Sequence, residues 1–210
     1  MQAQVKSYIE PDEYLAIDSQ AEYKSEYFRG EIFAMSGASL RHAEIVTNVV
    51  SDLHGQLRKS SCRVYSSDVR VKVAPTGLYT YPDIVIVCGK SQTERKKEDT
   101  LLNPVVILEV LSPSTEAYDR GEKFEHYRAL ESLTDYLLVA QNKAKIEHFH
   151  RQDDSQWTLS ESRGIDDTIE IASIDCKLAL SDVYDKVEFD EEKPPKLRRV
   201  HERSGDEAYQ

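Results

Sequence analysis

Cysteine is scarce. Only Cys62, Cys88 and Cys176 occur, far apart, odd in number and with no CxxC pair. Neither a disulfide framework nor a structural zinc knuckle is expected from that pattern, and all three read as small buried hydrophobes. No apolar run approaches the roughly 20 residues of a membrane span. The opening segment MQAQVKSYIEPDEYL has no basic stretch leading into an apolar one. No secretory signal is expected, and the cytoplasm is the expected compartment. No GxxxxGK[ST] and no GxGxxG is present, which removes the usual nucleotide cradles. The SPST run at 112–115 lacks a G-x-S-x-G frame, so it does not signal a serine hydrolase; a structural turn is its better role. Internal repeats and a low-complexity core are also missing.

What is present is one domain's worth of chain. The 210 residues are 40% hydrophobic and 31% charged, enough to bury a sizeable core. Net charge is −11 with a pI near 5.1. That balance speaks against a passive polyanion binder. It leaves room for an enzyme acting on nucleic acid, because carboxylates clustered to hold Mg²⁺ make a site acidic before the metal arrives. Residues 191–210 differ in character: two prolines, five basic and five acidic residues, and almost nothing apolar. They read as a flexible charged tail after a domain over 1–190, which therefore carries the whole negative charge.

Patterning along 1–190 predicts an α+β chain. A short helix fits 10–17, with Pro11 in its first turn, and a hairpin fits 27–35 around Arg29-Gly30. The clearest helix is 40–57, where Leu40, Ala43, Val46, Val50, Leu53 and Leu57 form one apolar stripe. Strands follow at 63–66, at 69–73 in half-exposed alternation, and at 83–87 and 105–111 as apolar runs covered on both faces. Residues 91–100 read as a charged loop or short helix. A second helix is predicted over 118–133, then strands at 135–139, 145–150, 157–159 and 168–171. An αβββαβ core around a central mixed sheet runs from 40 to 139, with an N-terminal helix and hairpin and extra C-terminal strands.

Three residues stand out for chemistry. Glu109 sits mid-strand in VVILEVL, where a carboxylate must be partnered, protonated or metal-bound. Alone, it is equally well explained by a structural ion pair. Asp83 opens the apolar run DIVIV after Pro82; alone, it is a common turn residue. Together, two carboxylates on two apolar strands can meet at one sheet edge and offer Mg²⁺ its oxygen ligands. Lys123, on the helix after the Glu109 strand, could be aimed back at Glu109, though by position alone an exposed helix lysine is the commoner case. His148 and His150 alternate on a strand with no third ligand nearby in sequence, which makes a poor zinc signal. Trp157 and the twelve tyrosines read as core or sheet-face residues.

Pro82-Asp83, Glu109 and Lys123 resemble the PD-(D/E)XK nuclease superfamily, with Leu111 standing where that motif has its lysine. The nearest branch is the Uma-type (Uma2-like) family of restriction endonucleases. The resemblance runs over about 8–187: GEI at 30–32, the following MSG and His42, YPDIVIV, EVLSPST at 109–115, a helix with Asp119, Lys123 and Tyr127, and DYLLV. It implies a restriction-endonuclease-like fold and Mg²⁺ (or Mn²⁺) dependent hydrolysis of DNA, with a homodimer plausible by analogy. Asp83 and Glu109 map to the metal-binding acids and Lys123 to a lysine that has moved to the helix. Glu31 maps to a further metal-binding acid, with Glu44 as its alternative, and His42 to a catalytic histidine. A catalytically inactive binding or regulatory protein on the same scaffold is the alternative, favoured by Leu111 and the negative charge. A buried Glu109–Lys123 ion pair in an unrelated small α/β protein is the third reading.

Overall fold

A computed structural model describes residues 8–35, 37–94, 100–152 and 156–189. The tail at 191–210 and most of the charged stretch after Glu94 lie outside the described residues. Helix α1 (Pro11–Asp18) has Pro11 at its first position, where a missing N–H costs little. The hairpin β1 (Ser25–Phe28) and β2 (Glu31–Ala34) turns at Arg29-Gly30, both with positive φ, as a tight hairpin requires. At Gly30, φ is +83° and a Cβ would stand 2.2 Å from the Tyr8 ring, so conformation and space both demand glycine.

Helix α2 (Leu40–Leu57) has the bounds that periodicity predicts, and the Ser39 hydroxyl caps it by accepting the His42 N–H at 3.1 Å. Its buried stripe is Ile45, Val49, Leu53 and Leu57, while Leu40, assigned to that stripe, is 91% exposed. Two stripes overlap on this helix. Packing takes the one led by Ile45 and Val49 and leaves Val46 and Val50 on its flank.

Next come β3 (Cys62–Ser66), β4 (Arg70–Val73), β5 (Leu78–Thr80), β6 (Ile84–Cys88), β7 (Thr100–Leu101) and β8 (Val106–Leu111). After α3 (Glu116–Arg120) and α4 (Glu122–Tyr127) the chain runs through β9 (Asp135–Ala140), β10 (Lys145–Arg151), β11 (Trp157–Arg163) and β12 (Thr168–Ile171). It ends in β13 (Cys176–Ala179) and α5 (Leu180–Val183). β5, β7, β13 and α5 have two to four residues each, too short to show a period. β4 is not half-exposed as its alternation suggests, because Arg70 is buried against Asp18 and Tyr81. The single helix predicted over 118–133 is two, broken at Gly121, whose φ of −108° and ψ of −100° are not helical.

Six strands form the main sheet in the order β11-β10-β9-β8-β6-β3, with β8 and β9 parallel and the other pairs antiparallel. It is the central mixed sheet. Its middle strands are buried on both sides. Ile84, Ile86, Leu108 and Val110 face α2, while Val85, Ile107 and Leu111 face α4. A second sheet, β2-β1-β5-β4-β7, packs Tyr27 and Tyr79 against Tyr14 of α1.

Only Cys176 behaves as a small buried hydrophobe. Cys62 and Cys88 are register partners on β3 and β6 and form a disulfide. Separated by 26 positions in sequence, they meet because β3 and β6 are adjacent antiparallel strands, which spacing alone does not reveal.

Candidate active site

Asp83 immediately precedes β6. The register Ile84↔Leu108 continues to set it opposite Glu109 on β8. Each carboxylate accepts a backbone N–H from the other strand: Asp83 N–H donates to Glu109 Oε2 at 3.1 Å, and Val110 N–H to Asp83 Oδ2 at 2.8 Å. His42, in the first turn of α2, places Nε2 3.0 Å from the same Asp83 oxygen.

Lys123 is buried, not exposed. From α4 its ammonium lies 2.9 Å from Glu109 Oε1, 3.4 Å from Glu26 Oε1 and 3.5 Å from Asp119 Oδ1. The Tyr127 hydroxyl donates to Glu109 Oε1 at 2.9 Å. Glu26, on β1, also accepts the hydroxyls of Thr80 and Tyr118. Leu111 lies on the same face of β8 as Ile107, within the apolar cluster that contains Tyr127. A lysine at 111 would lie on that face; here the cation comes from the helix instead.

Four carboxylates, Glu26, Asp83, Glu109 and Asp119, thus surround one ammonium and one imidazole. With all four ionised, two negative charges would be unmatched even with His42 charged, and in the metal-free protein that excess is relieved by protonation. Burial pushes the Glu109 carboxyl up to about 8; Lys123 opposes this, and Asp83 and Asp119 reinforce it. Burial likewise raises Asp119 against the pull of Lys123. Burial works against the Lys123 charge, but Glu109, Glu26 and Asp119 outweigh it and hold the ammonium firmly protonated. For His42 burial pulls down, and the Asp83 carboxylate reverses the balance to a net rise.

Residues 11–181 match the Uma2 family, described as "Putative restriction endonuclease". The chain belongs to the Uma2 family. Two proteins of Synechocystis sp. are similar over most of their length. Protein slr1290 is 35% identical over 86% of this chain and 94% of its own, and protein sll1609 is 33% identical over 76% and 90%. The crystal structure of "a putative nuclease belonging to DUF820" from Anabaena variabilis matches with a TM-score of 0.67 at 18% identity, covering 82% of this chain and 96% of that one. That likeness is one of fold, and the core of this Uma2 protein is restriction-endonuclease-like.

Of the residues picked out from sequence, Asp83, Glu109, Lys123 and His42 come together. Glu31 sits at the hairpin turn opposite Phe28, and the contacts that build the cluster run through Glu26 instead. Glu44 is half-buried on α2, and among the described residues no hydrogen bond or ion pair joins it to the cluster. Sequence reading assigned no role to Glu26 or Asp119. Asp119 was within reach: Asp119, Lys123 and Tyr127 stand four apart, the spacing of one helix face. Glu26 carries no comparable mark. Beside Leu111 a cavity of about 220 Å³ is lined in part by Arg120, Lys143 and Lys145.

Proposed function

We propose that this protein is a Mg²⁺-dependent endonuclease that hydrolyses DNA phosphodiester bonds. The observation that carries this reading is the entry of Lys123 from α4 into a carboxylate cluster at the mouth of β6 and β8. A structural ion pair needs one acid; this ammonium has three acids around it, with Asp83 alongside.

The donor set fits a hard dication. All the acids offer oxygen, and the charge they carry when ionised together is what a divalent ion would neutralise. Asp83 and Glu109 would hold it, with Glu26, rather than Glu31, placed to complete the set. When bound, the ion acidifies a water and offsets charge developing on the phosphate. The chain's own side chains do the positioning. Tyr127 and the Asp83 N–H fix the two Glu109 oxygens. His42 and the Val110 N–H fix Asp83. Lys123, always charged, orients the attacking water and stabilises the phosphate in the transition state. Two such sites would let both strands be cut in one encounter, so a homodimer belongs to the proposal, to be read by sedimentation.

The test is cleavage of supercoiled and linear duplex DNA with Mg²⁺ or Mn²⁺. Wild type should cut, and Asp83→Ala and Lys123→Met should not. Metal binding without cleavage by wild type would favour an inactive binding module on this scaffold.

A further inference from the structure

We propose that Asp135, His148 and His150 form a second metal site, for a transition-metal dication of the Zn²⁺ type, separate from the carboxylate cluster. Spaced two apart on β10, the histidines lack a third ligand nearby in sequence. The fold supplies it from the neighbouring strand. Asp135 opens β9 and is the cross-strand partner of His150. Nε2 of His148 and Nδ1 of His150 lie 2.6 Å and 2.7 Å from one oxygen, Asp135 Oδ1. The three donor atoms lie within 4.8 Å of one another.

The surroundings suit a ligand set. The Thr134 and Ser173 hydroxyls donate to the other Asp135 oxygen, so the carboxylate is oriented by groups outside the triad. Burial opposes ionisation of Asp135, yet hydrogen bonds from His148, Ser173, His150 and Thr134 outweigh it and hold the acid down at about 2. Two imidazoles and one carboxylate select Zn²⁺ or Co²⁺ over Mg²⁺, which prefers oxygen alone. Three protein ligands leave a fourth position for water. With its side chain 39% exposed, His150 gives the ion a way in from solvent.

The two sites do not share ligands. Asp135 pairs with Val106 at one end of β8, whereas Glu109 pairs with Leu138 three positions along. They also face opposite sides of the sheet. Leu137 and Ile146, which share a face with Asp135 and His148, pack in the α2 cluster, while Leu138 packs in the α4 cluster. An ion here would tie β9 to β10, and through Ser173 to the segment before β13.

The experiment uses full-length, tag-free, metal-stripped protein and Co²⁺ as an optical probe. Wild type should show, for one Co²⁺ per chain, the visible absorption of a low-coordinate, imidazole-ligated ion, distinct from the weak absorption of a six-coordinate ion at the carboxylates. Zn²⁺ should displace it one for one and raise the melting temperature. Asp83→Ala should keep both responses. His150→Ala, at a partly exposed position, should give that spectrum about a hundredfold or more weakly and lose the part of the Zn²⁺ melting shift that Asp83→Ala keeps. Absence of the Co²⁺ spectrum in wild type, or its persistence in His150→Ala, would overturn the proposal and leave Asp135 as the centre of a hydrogen-bonded knot. Loss of the spectrum in Asp83→Ala would overturn it too, by placing the ion in the carboxylate cluster.

Discussion

Replacing Glu109 with glutamine separates a metal-binding carboxylate from one half of a structural ion pair. With its pKa pushed up to about 8 by burial, Glu109 in the metal-free protein favours the protonated form at neutral pH. Glutamine then mimics the form already present. Lys123 is not stranded, because Glu26 at 3.4 Å and Asp119 at 3.5 Å remain. The amide keeps one oxygen, so either the Asp83 N–H or the Tyr127–Lys123 side loses its acceptor, at a cost of about 1–2 kcal/mol. Breaking a lone buried pair would cost about 3–5 kcal/mol. The pH dependence carries a sign. A folded pKa above the ordinary 4.5 contributes stability in full below 4.5 and loses it as pH rises towards about 8. At about 1.4 kcal/mol per unit, wild type should lose on the order of 4 kcal/mol relative to Glu109→Gln across that range. Urea melts of both proteins at several pH values, with and without Mn²⁺, provide the assay. Mn²⁺ should stabilise wild type and leave Glu109→Gln unmoved. A mutant destabilised by about 3 kcal/mol or more at neutral pH, beside a wild type indifferent to Mn²⁺, would refute the reasoning.

Lys123→Met leaves Glu26, Glu109 and Asp119 facing one another without their cation. It should cost roughly 3–5 kcal/mol at neutral pH, and less in acid where the carboxyls protonate, as melts at two pH values would reveal. Reducing the Cys62–Cys88 disulfide releases a crosslink between positions 26 apart, so thiol reductant should lower stability by about 3.5 kcal/mol in a chemical melt. Removing 191–210 should shift the melting temperature by only a few degrees, since that segment has almost nothing apolar to bury; a large drop in calorimetry would mean that it docks on the body.

The sequence makes the main sheet legible because its strands announce themselves. The runs around Asp83 and Glu109 are apolar on both faces, and each holds a carboxylate that has no business in a core unless partnered. The helix 40–57 is legible to its last residue, yet its phase is not, since two stripes share Leu53 and Leu57 and only packing chooses between them. Lys123 becomes readable through its place after the Glu109 strand, although Gly121 breaks the helix in a way that spacing hides. Contacts across distant strands are the least legible. Glu26 meets Lys123 across 97 positions of chain, the Cys62–Cys88 bridge depends on the β3–β6 register, and Asp135 becomes the partner of His150 only once β9 and β10 pair. Each is a long-range consequence of sheet order, and no local period encodes it.

The central claim is that Asp83 and Glu109 share a divalent ion. Crystals grown with Mn²⁺, measured at a wavelength where manganese scatters anomalously, test it most directly. The account predicts an anomalous peak in contact with both carboxylates, on the side open to solvent past Asp83 and His42, and its loss in Asp83→Ala. A wild-type map with no peak at these carboxylates, at saturating Mn²⁺, would contradict it.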